Sequence, residues 1–262
     1  MTIQSKKSLK AILASLIIGL VLFQLSGCVY LRLLELKNQF KDFDDYIEIR
    51  TDGAFSLYFK QPVLFKDDIH DLSRLAPTRK LVTANGEEWV YHFVKQNDLA
   101  AAGKPSTVSL IFRFKFNQQG KLEQWYFPDE FLAIVPPVFL EASLRSLGDA
   151  TIFKLSRQLK AEVTRIKTPT RPPDQHSVKQ VLGEPQQIVE KGNLERYLYR
   201  FQLLTDWVED GYEARRIALV KLDFVERNKL LVKASPRFAG LKISISYSKL
   251  LGDEYFAMSS NQ

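Results

Sequence analysis

Between Pro77 and Pro236 the sequence repeats itself at a constant spacing of 108 residues. Pro77 matches Pro185, and Trp89-Val90-Tyr91-His92-Phe93 matches Tyr197-Leu198-Tyr199-Arg200-Phe201. Further on, Phe116 matches Phe224, Lys121 matches Lys229, Leu122 matches Leu230, and Pro128 matches Pro236. A correspondence without gaps restricts the fold to two copies of one supersecondary unit.

The unit is readable from its periods. Both aromatic stretches alternate apolar and polar residues, the period-two signature of a strand. Ser109 to Phe116 and Leu219 to Phe224 read as a further strand. A polar turn follows each, Asn117 to Gly120 and Val225 to Asn228, and then another strand. Short helical segments precede the prolines, at Asp67 to Leu75 and His176 to Leu182. Each unit is therefore a helix followed by a meander of three or four antiparallel strands.

A long helix is expected between the copies. Pro136-Pro137 suits a first turn, and Leu140, Leu144, Leu147, Phe153, Leu155, Leu159, Val163 and Ile166 recur every three to four residues. Thr168 to Pro173 then reads as an extended linker. Ahead of the first copy, Leu33, Leu36, Phe40 and Phe43 form the apolar stripe of a shorter helix, and Asp52-Gly53 marks a hairpin turn. The expected class is α+β, with two tandem helix-plus-meander units joined by a long helix. The expected boundaries are 28–135 for the first unit and 136–262 for the linking helix and second unit.

Residues 1–27 carry a different message. A basic start (Lys6, Lys7, Lys10) is followed by an apolar run from Ala11 to Leu25 and then Ser26, Gly27 and Cys28. That is the layout of a secretory signal. The run is about 15 residues, short of the ~20 that span a bilayer. Leu25-Ser26-Gly27-Cys28 resembles a lipobox, the signal of bacterial lipoproteins. Lipidation needs a thiol, and Cys28 is the only cysteine of the chain, so no internal disulfide competes for it. The resemblance implies cleavage before Cys28 and lasting attachment through several acyl chains, each buried CH₂ contributing ~0.8 kcal/mol. Val29 stands where an Asp commonly retains such proteins in the inner membrane, which favours the outer membrane, facing the periplasm.

The net charge of +7 is lowered by cleavage. Three of the 37 basic residues and none of the 30 acidic ones lie in the signal, so the remainder carries +4. That weak excess fits a solvated mixed-charge surface and gives no reason to expect nucleic acid as a partner. With 18 Phe and 10 Tyr the chain has ample material for a core.

The segments Val181-Leu182-Gly183-Glu184-Pro185, Tyr197 to Phe201 and Leu222-Asp223-Phe224 to Leu230 resemble the BamE/SmpA/OmlA lipoprotein domain. That domain has a Leu-Gly-x-Pro turn, a Trp-x-Tyr-x-Phe strand, and an apolar strand ending in Phe and a polar turn. The first copy has Trp89, Tyr91 and Phe93 but Leu75 and Ala76 before Pro77, where the pattern wants Gly. The second has Gly183 and Pro185 but Tyr197 for Trp, with Tyr199 and Phe201 following. The resemblance implies two helices and a three-stranded antiparallel sheet per domain, and non-catalytic accessory work at the envelope. Tandem copies of a related helix–sheet unit also occur in proteinaceous β-lactamase inhibitors, so an inhibitor is one alternative. A lipid or small apolar ligand cradled by the aromatic strands is another.

Nothing in the sequence assembles an active site. The histidines are His70, His92 and His176. His92 lies on a strand opposite Tyr91 and Phe93 and is expected to face solvent. His70 lies among Asp67, Asp68 and Asp71, which reads as a solvated acidic helix start in preference to a metal site. No HExxH, CxxC, GxSxG or phosphate-loop pattern occurs. The pairs Asp44-Asp45 and Glu87-Glu88, on strands, point to opposite faces. The expectation is a non-enzymatic lipoprotein that binds envelope proteins, with no metal and no cofactor beyond the lipid on Cys28.

Overall fold

The computed structural model describes residues 29–96, 108–148, 151–153, 158–160, 170–239, 241–242 and 244–258. Helix α1 (Val29–Lys41) and the single turn α2 (Phe43–Tyr46) lead into a hairpin of β1 (Ile47–Arg50) and β2 (Ser56–Phe59). Gly53 turns that hairpin at φ +80°, a left-handed conformation that glycine adopts without steric cost. Helix α3 (Lys66–Ser73) precedes β3 (Arg79–Thr83), β4 (Gly86–Lys95), β5 (Ser109–Asn117) and β6 (Leu122–Tyr126). Then come α4 (Asp129–Leu132), α5 (Pro137–Leu147) and a small hairpin of β7 (Thr151–Phe153) and β8 (Gln158–Lys160). The second half runs α6 (Gln175–Leu182), β9 (Gln187–Lys191), β10 (Leu194–Leu203), β11 (Ile217–Val225) and β12 (Leu231–Phe238). It ends in β13 (Leu241–Lys242), β14 (Ile245–Ser246), α7 (Tyr247–Leu251) and α8 (Asp253–Met258).

The arrangement of these elements overturns the expected fold class. There are not two helix-plus-meander units joined by a long helix. Twelve of the strands form one antiparallel sheet, curled into a half-barrel, and the helices among the described residues are short. The fusion happens where β4 and β10 meet: Phe93 faces Leu203, Val94 faces Gln202 and Lys95 faces Phe201. The two meanders join there edge to edge.

The helix stops at Leu147, where the chain meets α1. Gly148 lies directly on α1, and a Cβ there would come within 2.3 Å of the Lys41 Cα. Thr151-Ile152-Phe153, β-branched and aromatic, then pairs with Gln158-Leu159-Lys160 as a hairpin. Of the remaining positions in the expected stripe, Leu155, Val163 and Ile166 lie outside the described residues. Helix α1 also starts earlier than expected, at Val29. Asp44 and Asp45 lie on the turn α2 and not on a strand.

The spacing of 108 holds in the backbone of the meanders. It relates β3 to β9, β4 to β10 and β5 to β11, residue for residue. The bulge at Lys115/Phe116 in β5 has its counterpart at Asp223/Phe224 in β11. Contacts across the join are reciprocal as well. The Gln96 amide donates to the Arg200 carbonyl, and the Leu204 amide to the His92 carbonyl. The Lys95 ammonium donates to the Leu182 carbonyl at 2.6 Å and to the Glu184 carbonyl, at the end of α6. Arg215 does the same for α3, donating to the Leu72 and Ser73 carbonyls at 2.8 and 3.0 Å. A cation from each half thus meets the orphan carbonyls of the other half's helix.

The inner face of the sheet is aromatic. Trp89 packs on Phe116 at 5.1 Å, and the equivalent Tyr197 on Phe224 at 4.9 Å. Phe238 gathers Phe93, Phe112 and Phe131 at 5.4, 5.1 and 6.1 Å. Edge-to-face pairs of this kind contribute ~0.5–1.5 kcal/mol each beyond the area they bury.

Candidate functional site

The motif residues singled out in the sequence are brought together as core. Trp89, Tyr91, Phe93, Tyr197, Tyr199 and Phe201 are all buried, on β4 and β10. Tyr199 donates its hydroxyl to the Gly183 carbonyl at 3.1 Å. Gly183 itself sits at φ +67° beside the Lys95 ammonium. In the first half Arg74 takes the left-handed position, at φ 62°, so Leu75 need not be glycine. Pro77 is buried and Pro185 half-buried at the matching turns. The lipobox, Leu25, Ser26, Gly27 and Cys28, lies outside the described residues.

His92 does not face solvent freely. It is half-buried, and its Nε2 is enclosed without a hydrogen-bond partner. Burial, and then the nearby Arg79 charge, push its pKa below the ordinary value. Among the acids of α3, Asp68 is the one that matters: it is buried and ion-paired to Arg32, with a 2.6 Å bond from Nε, and it also accepts from the Phe65 amide at 2.8 Å. Among the described residues no group of three His, Cys, Asp or Glu side chains could hold a metal ion. Glu87 is engaged by Lys66 and by the Trp89 indole N–H, and Asp44 by Arg145.

Two clefts, of about 330 and 530 Å³, sit at turns and are lined mainly by polar side chains such as Glu35, Gln119 and Lys121, or Glu226, Arg227 and Lys229. Neither is an aromatic cavity.

What the surface does offer is open strand edges. β3 pairs only with β4, and β9 only with β10. Every residue of both strands is exposed. Their apolar side chains stand in solvent: Val82 is 90% and Ile188 49% exposed, with Leu81 and Val189 beside them. An uncovered edge carries a row of unpaired backbone groups and is a template for another strand.

A second surface feature lies at the end of α3. Trp207, 46% exposed, stacks on the His70 imidazole at 5.2 Å. Its backbone is held by the Ala76 amide and the Thr205 hydroxyl, which both donate to the Trp207 carbonyl. Arg74 pairs with Glu209 at 3.1 Å, and Tyr212 lies against the Arg215 guanidinium at 4.4 Å. The sequence reading missed this site. Its signal was present in Asp206-Trp207-Val208-Glu209-Asp210-Gly211-Tyr212, where large aromatics sit in a polar, turn-forming stretch.

No family model, no curated protein and no solved structure matches the chain.

Proposed function

We propose that this chain is a lipid-anchored, periplasm-facing protein that binds other envelope proteins and carries out no catalysis of its own. The anchor is the lipid on Cys28, and the membrane is the outer one. The single observation that carries the binding reading is the pair of free, fully exposed edges, β3 and β9. An extended segment of a partner added to either edge gains main-chain hydrogen bonds over five residues, and alternate side chains supply specificity. The lipobox-like Leu25-Ser26-Gly27-Cys28 supports the location. The resemblance to the BamE/SmpA/OmlA domain supports accessory work in envelope assembly.

Crosslinking in living cells followed by mass spectrometry tests this reading. Specific envelope proteins should be recovered, with crosslinks mapping to residues 79–83 or 187–191. Recovery of none with several crosslinkers of different reach would overturn it.

A further inference from the structure

The two halves differ in sequence in the connection between their two longest strands. Residues 96–108 link β4 to β5 and hold one acid, Asp98, and no aromatic residue. Residues 204–216, at the same place in the second half, hold Asp206, Glu209, Asp210 and Glu213 together with Trp207 and Tyr212. This is an acidic stretch in a chain whose net charge is +7. Where equivalent segments share a scaffold, a feature present in one alone is not required by the scaffold.

The geometry singles out Trp207. Its backbone is fixed by hydrogen bonds to Ala76 and Thr205, and its ring is backed by His70, yet the residue is 46% exposed. A large flat side chain held rigid in solvent is what a binding anchor needs, because little conformational entropy remains to be lost. The cations near it are already engaged. Arg74 holds Glu209, Arg215 holds the carbonyls at the end of α3, and Arg216 donates to the Thr205 carbonyl at 3.3 Å. Asp206 and Asp210 are exposed and have no ion-pair partner among the described residues. Within residues 204–216 the four acids outnumber the two basic residues, Arg215 and Arg216, so the stretch that carries the indole is net negative, and an indole face itself attracts cations.

We propose that Trp207, flanked by Asp206 and Asp210, docks a basic segment of a protein partner, with a Lys or Arg side chain laid on the indole and its charge met by the two carboxylates. This rests on the reading of the chain as a protein-binding module and names the chemistry of one partner surface.

The test uses the full-length protein in zwitterionic nanodiscs and a blocked octapeptide of alternating Arg and Ala as probe. Of the three tryptophans Trp89 is buried and Trp125 half-buried, so acrylamide quenching is read in a Trp125→Phe background, where it reports largely on Trp207. The peptide should shield Trp207 from acrylamide, and the shielding should weaken steeply with added salt. The Asp206→Lys/Asp210→Lys double variant keeps the indole and should lose at least ten-fold in affinity, while a blocked Glu-Ala octapeptide should begin to bind. Trp207→Ala, checked for folding by near-ultraviolet circular dichroism, should also lose at least ten-fold. Unchanged affinity in the charge-reversed variant, or shielding by anionic vesicles and not by the basic peptide, overturns the proposal. A photo-crosslinking residue placed in cells at position 204, exposed beside Trp207, or at position 82 separates this proposal from the one beneath it. Crosslinks at 204 to Lys- or Arg-rich peptides support it. Crosslinks at 82 with none at 204 overturn it and leave the binding reading standing, and none at either position overturns both.

Discussion

At the scale of single residues, two polar groups inside the fold set its sensitivities. Burial of His92, with Nε2 enclosed, and then the nearby Arg79 charge favour its neutral form in the folded chain. Its folded pKa therefore lies below the ~6.5 of an unfolded histidine. As pH falls through 6.5 the unfolded chain takes up the proton first, so stability is lost from there down to the lowered folded value. Urea unfolding should show the wild type losing more stability than His92→Gln between pH 7 and pH 5. Parallel pH profiles would contradict the burial of His92. Asp68 is the second group. Its side chain is 2% exposed and Arg32 is its ionic partner. Arg32→Ala leaves that carboxylate buried with only the Phe65 amide for support, and should cost about 3 kcal/mol in urea unfolding. A loss under ~1 kcal/mol, the worth of a surface pair, would mean that water reaches Asp68. The period-two alternation put His92 on the correct face of its strand. It could not reveal that residues from elsewhere in the chain cover that face.

Elements were legible where a short period decides them. The strands through Trp89 and Tyr197 alternate cleanly, and β4 and β10 run through those residues. Hairpins with positive-φ glycine, such as the one at Gly53, also announce themselves. The long helix did not survive because its apolar stripe is shared by two kinds of element. Leu140, Leu144 and Leu147 belong to α5, while Phe153 and Leu159 belong to a hairpin. Where the helix ends, Gly148 closely approaches α1, which is a long-range fact. Gly148→Ala tests that account. Its Cβ would meet backbone atoms of Lys41 at 2.3 and 2.4 Å, which cannot move aside as a flexible side chain does. The variant should lose about 1–3 kcal/mol, read as a drop of several degrees in thermal unfolding. A neutral or stabilising effect, as expected of Gly→Ala in an open helix, would show that α1 and α5 do not touch there.

At the scale of the whole molecule, the repeat was visible in sequence but its consequence was not. Identical spacing says that two units exist, and says nothing of whether their sheets stand apart or merge. The join is made by Phe93, Val94 and Lys95 against Phe201, Gln202 and Leu203, residues that would look the same on a lone edge. Merging leaves β3 and β9 as open edges, and these, with Trp207, are the surfaces on which the functional account stands. In the proposed function these surfaces stand at a membrane through the lipid on Cys28. Metabolic labelling with an alkyne fatty acid measures that most directly. The wild type should take up label and begin at Cys28 once processed, and Cys28→Ser should take up none. Equal labelling of the two, or an intact Met1 on the mature wild-type chain, would contradict the lipid anchor.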